Sequence, residues 1–336
     1  MTSNYMRVKV NISSKAVRFL SLDDLGLSYL SEVPANNTSD GVSTTTPSSD
    51  TSELDANDWV LPLVRSARDL GFAGVILSGP PGTGKSWHAQ QLAVSLTGDW
   101  ENVRSVQFHP SYQYDDFVFG YQADSRGIYQ PTAKEFARAC SDAAAQVESK
   151  KLVVLVIDEI SRSDVIRVFG EALTYLEMDK RGIRFRTANG EYLEVPENLF
   201  IIGTMNPWDK GVDELDAALE RRFAQIDLLP DPDTLTKILL KNGSQQPFLD
   251  RLVGFFNNLQ KEDNERVRLG HAYFLKCKDE ETAQLIWQLR LHPTLRRACS
   301  LDISTLKRLE TAWKIVVASD ENANSSQTNV SSTNVP

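Results

Sequence analysis

The segment Gly79-Pro-Pro-Gly-Thr-Gly-Lys-Ser86 has the spacing G-x-x-x-x-G-K-[ST]. Glycines so placed let successive backbone N–H groups turn toward an anion. The lysine then reaches terminal phosphates and the serine hydroxyl suits a hard cation. Gly79, Pro80, Pro81, Gly82, Thr83, Gly84, Lys85, Ser86 and the adjoining Trp87 are therefore the candidate nucleotide contacts. A second cluster follows the apolar run of "VVLVIDEI", where Asp158 and Glu159 come directly after five aliphatic residues. Asp158, with Ser86, is the candidate pair for a Mg²⁺ shell, and Glu159 has the chemistry to polarise an attacking water. A glycine-rich turn opening a helix and a strand ending in solvated acids are the plain alternatives, and finding both motifs in one chain disfavours each. The third candidate is Asn206, which ends "NLFIIGTMN". A buried amide needs a partner. It could orient the water, touch a γ-phosphate, or merely cap the turn before Pro207.

These residues need a scaffold that brings strand ends together. The runs 74–79, 103–109, 151–160, 198–206 and 224–229 read as strands, and the continuous apolar ones as strands buried on both faces. Helical spacing covers 86–96, 132–149 and 164–178, and Asn189-Gly190 between β-rich arms marks a hairpin over 183–195. After "PDPD" the pattern is helical to about residue 317. The fold class is α/β: a parallel sheet flanked by helices, with a β-hairpin insertion, followed by a helical lid. The expected organisation is a small segment over 1–33, a linker over 34–57, the nucleotide-binding core over 58–230, the lid over 231–317 and a tail over 318–336. Linker and tail are rich in Ser, Thr and Asn and too polar to bury a core.

The net charge of −9 argues against coating nucleic acid through bulk positive charge. Cys140, Cys277 and Cys299 are far apart and form no zinc or disulfide pattern. No apolar run reaches membrane-spanning length, so the expectation is a cytoplasmic chain with no membrane partner. The basic stretch "DKRGIRFR" is either a pore- or DNA-facing loop or an ordinary solvated hairpin.

With "GPPGTGKS", "IDEI" and Asn206 stand "LDAALERRF", "FHPSYQYDDFVFGY", "GTMNPWDKG" and "RLGHAYF". Together they resemble an AAA+ nucleoside triphosphatase of the McrB-like branch, across roughly residues 58–320. The resemblance implies a Mg²⁺-dependent nucleotide hydrolase that forms a ring, a hexamer in such families, and drives a McrC-like nuclease subunit that supplies contact with DNA. It makes Asn206 the sensor asparagine and gives Asp209 a part in placing the water or a partner-facing loop. Arg221 and Arg222 become the interface arginines that reach a neighbour's γ-phosphate, and Arg268 or His271 lies near the nucleotide. Lys210 stands where the family carries arginine and lacks the bidentate fork. ATP is the favoured nucleotide, with GTP the alternative, because a phosphate loop does not read the base. A protein-remodelling ATPase of the MoxR or dynein-related kind is the competing reading, and a ring that binds nucleotide without turnover is a third.

Overall fold

The protein is described by a computed structural model at Leu54, residues 58–207 and residues 217–318. The expectations for residues 1–33, for the linker apart from Leu54, for Asp209 and Lys210, and for the tail beyond Ala318 lie outside the described residues. Everything described belongs to one unit of the chain, Thr51–Pro336.

The chain enters through α1 (Val60–Asp69), whose first amides are met by the Asp58 carboxylate. β1 (Gly74–Ser78) then leads through the glycine-rich loop into α2 (Lys85–Thr97), and β2 (Val103–Gln107) follows. A short α3 (Tyr114–Phe117), the hairpin β3 (Phe119–Ala123) and β4 (Tyr129–Ala133), and α4 (Glu135–Ala145) lead to β5 (Val153–Asp158). Next come α5 (Val165–Phe169), the two-residue strands β6 (Phe185–Arg186) and β7 (Tyr192–Leu193), and β8 (Leu199–Met205). The sheet ends with β9 (Phe223–Asp227) after α6 (Ala217–Glu220).

Five strands form one sheet in the order β2-β5-β8-β1-β9, with every pairing parallel. Alternation within each strand serves two helical layers. Val75, Leu77, Val154, Val156, Phe200 and Ile202 pack with Ala89, Leu92 and Ala93 of α2 and with Val60 and Val64 of α1. Ile76, Leu155, Ile157, Ile201 and Met205 face Phe136 and Ala139 of α4 and Val165 and Phe169 of α5. Burial on both faces explains why these strands read as unbroken apolar runs.

The remaining helices, α7 (Pro232–Lys241), α8 (Phe248–Gln260), α9 (Glu280–Ile286), α10 (His292–Ala298) and α11 (Ile303–Val316), bury a separate cluster. Asp231 accepts from the amides of Asp233 and Thr234, and with Pro232 in the first turn it starts α7 by the usual capping chemistry. Trp287 and Trp313 stack at 4.7 Å in the middle of this cluster, with Phe255 edge-on to both.

Three local expectations are corrected. The helix expected over 164–178 ends at Phe169, because Gly170 takes φ 53°, and the chain continues as a 3-10 helix from Gly170 to Leu176. The helix expected from residue 132 begins at Glu135, the residues before it being used by β4. Two hairpins are present rather than one. The Asn189-Gly190 turn joins only two-residue strands, while the longer β3–β4 pair carries no such turn signal. Asn189 Nδ2 donates to the Phe119 carbonyl oxygen at 3.1 Å, tying the two hairpins together.

Candidate nucleotide site

The glycine-rich loop wraps the end of β1 and delivers its backbone to the start of α2. Gly84 caps that helix at φ 83° and Gly82 sits at φ 84°, a left-handed conformation that glycine takes without strain. The loop's amides and the N-terminus of a 13-residue helix thus converge on one point, a standard setting for an anion. Lys85 is buried and its Nζ donates to the carbonyl oxygens of Gly79 and Pro80, both at 2.9 Å. The ammonium is folded over the loop that a phosphate would occupy. Trp87, one turn into solvent, is well exposed and lies edge-on to His88.

The sheet's register brings the other candidates to the same end. Ile157 is level with Gly203 and Ser78 with Met205, so Asp158 stands beside Thr204 and Asn206 beside Gly79. Residues 158, 204 and 206 then share the face covered by α2. Ser86 Oγ donates to Asp158 Oδ1 at 2.7 Å, and Thr204 Oγ1 donates to the same oxygen at 2.5 Å. The Glu159 amide donates to Thr204 Oγ1 at 3.0 Å, so one threonine hydroxyl positions both acids. Glu159 itself has φ 54° and ψ 43°, a left-handed backbone that costs a non-glycine residue roughly 1–3 kcal/mol and that such sites commonly retain. Its carboxylate accepts from Arg162 Nε at 3.3 Å. Asn206 is buried. The meeting of a serine hydroxyl and a carboxylate at the mouth of the loop is an all-oxygen donor set, which fits Mg²⁺. Among the described residues no group of three or more His, Cys, Asp or Glu side chains forms a closed metal cage.

The helical region closes over the loop by backbone contact. Gly270 N–H donates to the Pro81 carbonyl oxygen at 3.0 Å and Ala272 N–H to that of Gly82 at 2.9 Å. A Cβ on Gly270 would fall 2.2 Å from the Gly82 carbonyl carbon. His271 faces Gly84, and its buried Nδ1 has no hydrogen-bond partner. Burial lowers its pKa and nearby His88 adds to this, while Asp231 acts in the opposite sense. Arg268 is turned away: Nε and Nη2 both donate to the Glu262 carbonyl oxygen.

Arg221 and Arg222 stand at the opposite end of the sheet. They precede β9, and the Arg222 carbonyl oxygen accepts from Ala73 N–H, just before β1 begins. The length of β1, on the order of 16 Å, separates them from their own phosphate loop. Arg221 is exposed, its side chain 62% accessible, whereas that of Arg222 is 4% accessible. Both Nη2 atoms lie 2.5 Å from Glu177 Oε1. Thr204, Glu177 and Gly270 were not singled out from the sequence. Thr204 carries no motif signal beyond its place two residues before Asn206, and the roles of the other two depend on contacts between distant segments.

A parallel sheet with a phosphate loop after β1 and an acid pair at the end of β5, one strand (β8) lying between the two, defines a P-loop nucleotide-binding protein. Residues 74–223 match the family model "AAA domain (dynein-related subfamily)". The chain is 37% identical to the type IV methyl-directed restriction enzyme EcoKMcrB subunit of Escherichia coli K12, over 60% of this chain and 47% of that protein. It is 27% identical to the type II restriction enzyme BsuMI component YdiS of Bacillus subtilis 168, over 44% of this chain and 55% of that one. The chain thus spans about half the length of the curated relatives it matches. A crystal structure of a Cytophaga hutchinsonii protein superposes with a TM-score of 0.34 at 14% identity, covering 65% of this chain and 57% of that one. Over these residues the chain is similar to AAA domains and to subunits of restriction enzymes. Among the described residues no helix is long and apolar enough to cross a membrane.

Proposed function

We propose that this protein is a Mg²⁺-dependent nucleoside triphosphatase, with ATP favoured and GTP the alternative. It works as a ring, a hexamer in the reading favoured here, that drives a separate nuclease subunit in a McrB-like restriction system. The observation that carries the reading is the division of the site between the two ends of the sheet. The loop, Asp158, Glu159 and Asn206 share one end, and the exposed Arg221 sits at the other, out of reach of its own phosphates. Two copies stacked head to tail would bring Arg221 of one to the nucleotide of the next, and repetition of that contact closes a ring.

In this reading the loop amides and Lys85 bind and orient the phosphates, Lys85 exchanging its carbonyl partners for phosphate oxygens. Ser86 and Asp158 would hold the magnesium ion, which when bound neutralises charge on the terminal phosphates. Glu159 takes the proton of the attacking water, leaving Arg162 to do so, and the Asn206 amide fixes that water or the γ-phosphate. Thr204 keeps Asp158 and Glu159 in register. Positioning and charge neutralisation carry most of the acceleration. Restriction is supported by the names of the two curated relatives, and DNA would be reached through the partner subunit. The dynein-related family model also keeps the protein-remodelling alternative in view.

The test is steady-state hydrolysis of ATP and GTP with Mg²⁺, by wild type and Glu159→Gln, across protein concentration. Turnover that rises cooperatively with concentration and disappears in the variant, while nucleotide still binds, is the expected result. Turnover per protomer that is independent of concentration would refute the shared site.

A further inference from the structure

The Glu177 carboxylate lies within reach of three cations. Its Oε1 receives Arg221 and Arg222, and its Oε2 receives Lys180 Nζ at 2.9 Å. The charge of the cluster is therefore positive by two, and two arginines adjacent in sequence share a single oxygen. Lys180, then the two arginines, hold the Glu177 carboxyl below the usual carboxylate range.

The backbone beneath Glu177 is fixed from below by a buried cation. Arg181 is 6% exposed, and its guanidinium donates to the carbonyl oxygens of Leu176, Pro196 and Leu199 at 2.8–2.9 Å. This joins the residue before Glu177 to the first residue of β8. Arg222 is fixed as well: it is buried, and its Nη1 donates to the Ala218 carbonyl oxygen at 2.5 Å. Glu177, Arg222 and Lys180 thus form a rigid base, and Arg221 is the exposed member resting on it.

We infer that Glu177 is a positioning residue for Arg221, holding one edge of its guanidinium so that the remaining N–H donors face a neighbouring protomer's nucleotide. Arginine carries five donors in a planar fork, and the contact to Glu177 uses one nitrogen. A long side chain free in solvent would have to be ordered at each encounter, and a preset one would not. The inference rests on the reading that Arg221 acts across an interface, and the test separates the two.

Four proteins are compared in hydrolysis assays, alone and mixed in pairs: wild type, Glu159→Gln, Arg221→Ala and Glu177→Gln. Glu177→Gln keeps the size of the side chain and removes its charge. Its kcat is expected to fall roughly 10–100-fold, the penalty of a misplaced group, with KM within about twofold of wild type. Glu159→Gln is silent in its own site but still donates an intact Arg221. Mixing it with Glu177→Gln should therefore raise turnover several-fold above that of Glu177→Gln alone. Damage confined to a variant's own fold would not be repaired by such mixing. Arg221→Ala should be rescued in the same way. Failure of Arg221→Ala to be rescued would overturn the shared-site reading. Rescue of Arg221→Ala combined with wild-type kcat in Glu177→Gln, or with no rescue of Glu177→Gln, would overturn the positioning role alone. Should Glu177→Gln unfold, Glu177→Asp, which keeps the charge on a shorter stem, goes through the same mixing and is read by the same outcomes.

Discussion

Replacing Gly270 with alanine isolates the contact between the helical region and the phosphate loop. The backbone at Gly270, φ −73° and ψ 167°, is open to any residue, so the effect is purely one of space. The added methyl would lie 2.2 Å from the Gly82 carbonyl carbon, 2.3 Å from its oxygen and 2.5 Å from the Thr83 nitrogen. All three are backbone atoms of the loop, with no side chain able to swing aside. The strap must therefore lift, breaking the Gly270–Pro81 and Ala272–Gly82 hydrogen bonds. At about 0.5–1.5 kcal/mol each, the loss is about 1–3 kcal/mol. For a chain of this size that corresponds to a Tm lower by roughly 2–12 °C. Because the strap lies on the loop that receives the phosphates, the same loss should appear as weaker nucleotide binding, about 5- to 150-fold. Thermal unfolding and titration with a fluorescent nucleotide analogue measure the two quantities. A Gly270→Ala protein with unchanged Tm and unchanged affinity would refute the claim that this strap is seated on the loop.

Two further outcomes follow from the site. Thr204→Val removes the hydroxyl shared by Asp158 and the Glu159 amide, leaving a half-buried N–H without that partner. The cost is about 1–3 kcal/mol, and kcat should fall about tenfold or more, with Thr204→Ser restoring most of it in the same hydrolysis assay. His271, whose pKa is lowered by burial, protonates in the unfolded chain near its ordinary 6.5 and in the folded chain only below that. The unfolded state binds more protons in that window, so the stability His271 contributes is complete above 6.5 and is lost as pH falls. Melting curves between about pH 7.5 and 5.5 should show a larger drop in Tm for wild type than for His271→Gln, and equal drops would exclude a role for His271.

The loop and the acid pair were legible because each is a contiguous string whose chemistry needs its own neighbours. β5 and β8 were legible because strands buried on both faces leave no polar alternation. The helix expected after β5 was misread because the apolar spacing continues through Gly170, and only the glycine's positive φ, which spacing does not report, converts it to a 3-10 helix. β3 and β4 were missed for a different reason: they are largely exposed at their tip, so no hydrophobic period marks them, and the turn residues Asp124 and Gly127 stand between arms that do not read as strands. Arg222 read as the equal of Arg221, since adjacent arginines look alike in a string. What separates them is the Ala218 carbonyl, which draws the Arg222 guanidinium inward while that of Arg221 stays in solvent, and both meet a glutamate 44 residues from Arg221. Contacts at that separation are set by which strands become neighbours, and sequence periodicity carries no record of it.

The strand order also governs the protein's birth on the ribosome. β1 lies between β8 and β9, yet its first partner, Ile201 opposite Gly74, is synthesised roughly 130 residues later. At about 5–20 residues per second, the wholly apolar face of Gly-Val-Ile-Leu waits roughly 6–25 s without a neighbour on either side. The strand that will carry the phosphate loop is therefore among the first made and the last enclosed. Nascent chains of this protein pass through an interval in which their future nucleotide site is an unpaired, aggregation-prone edge.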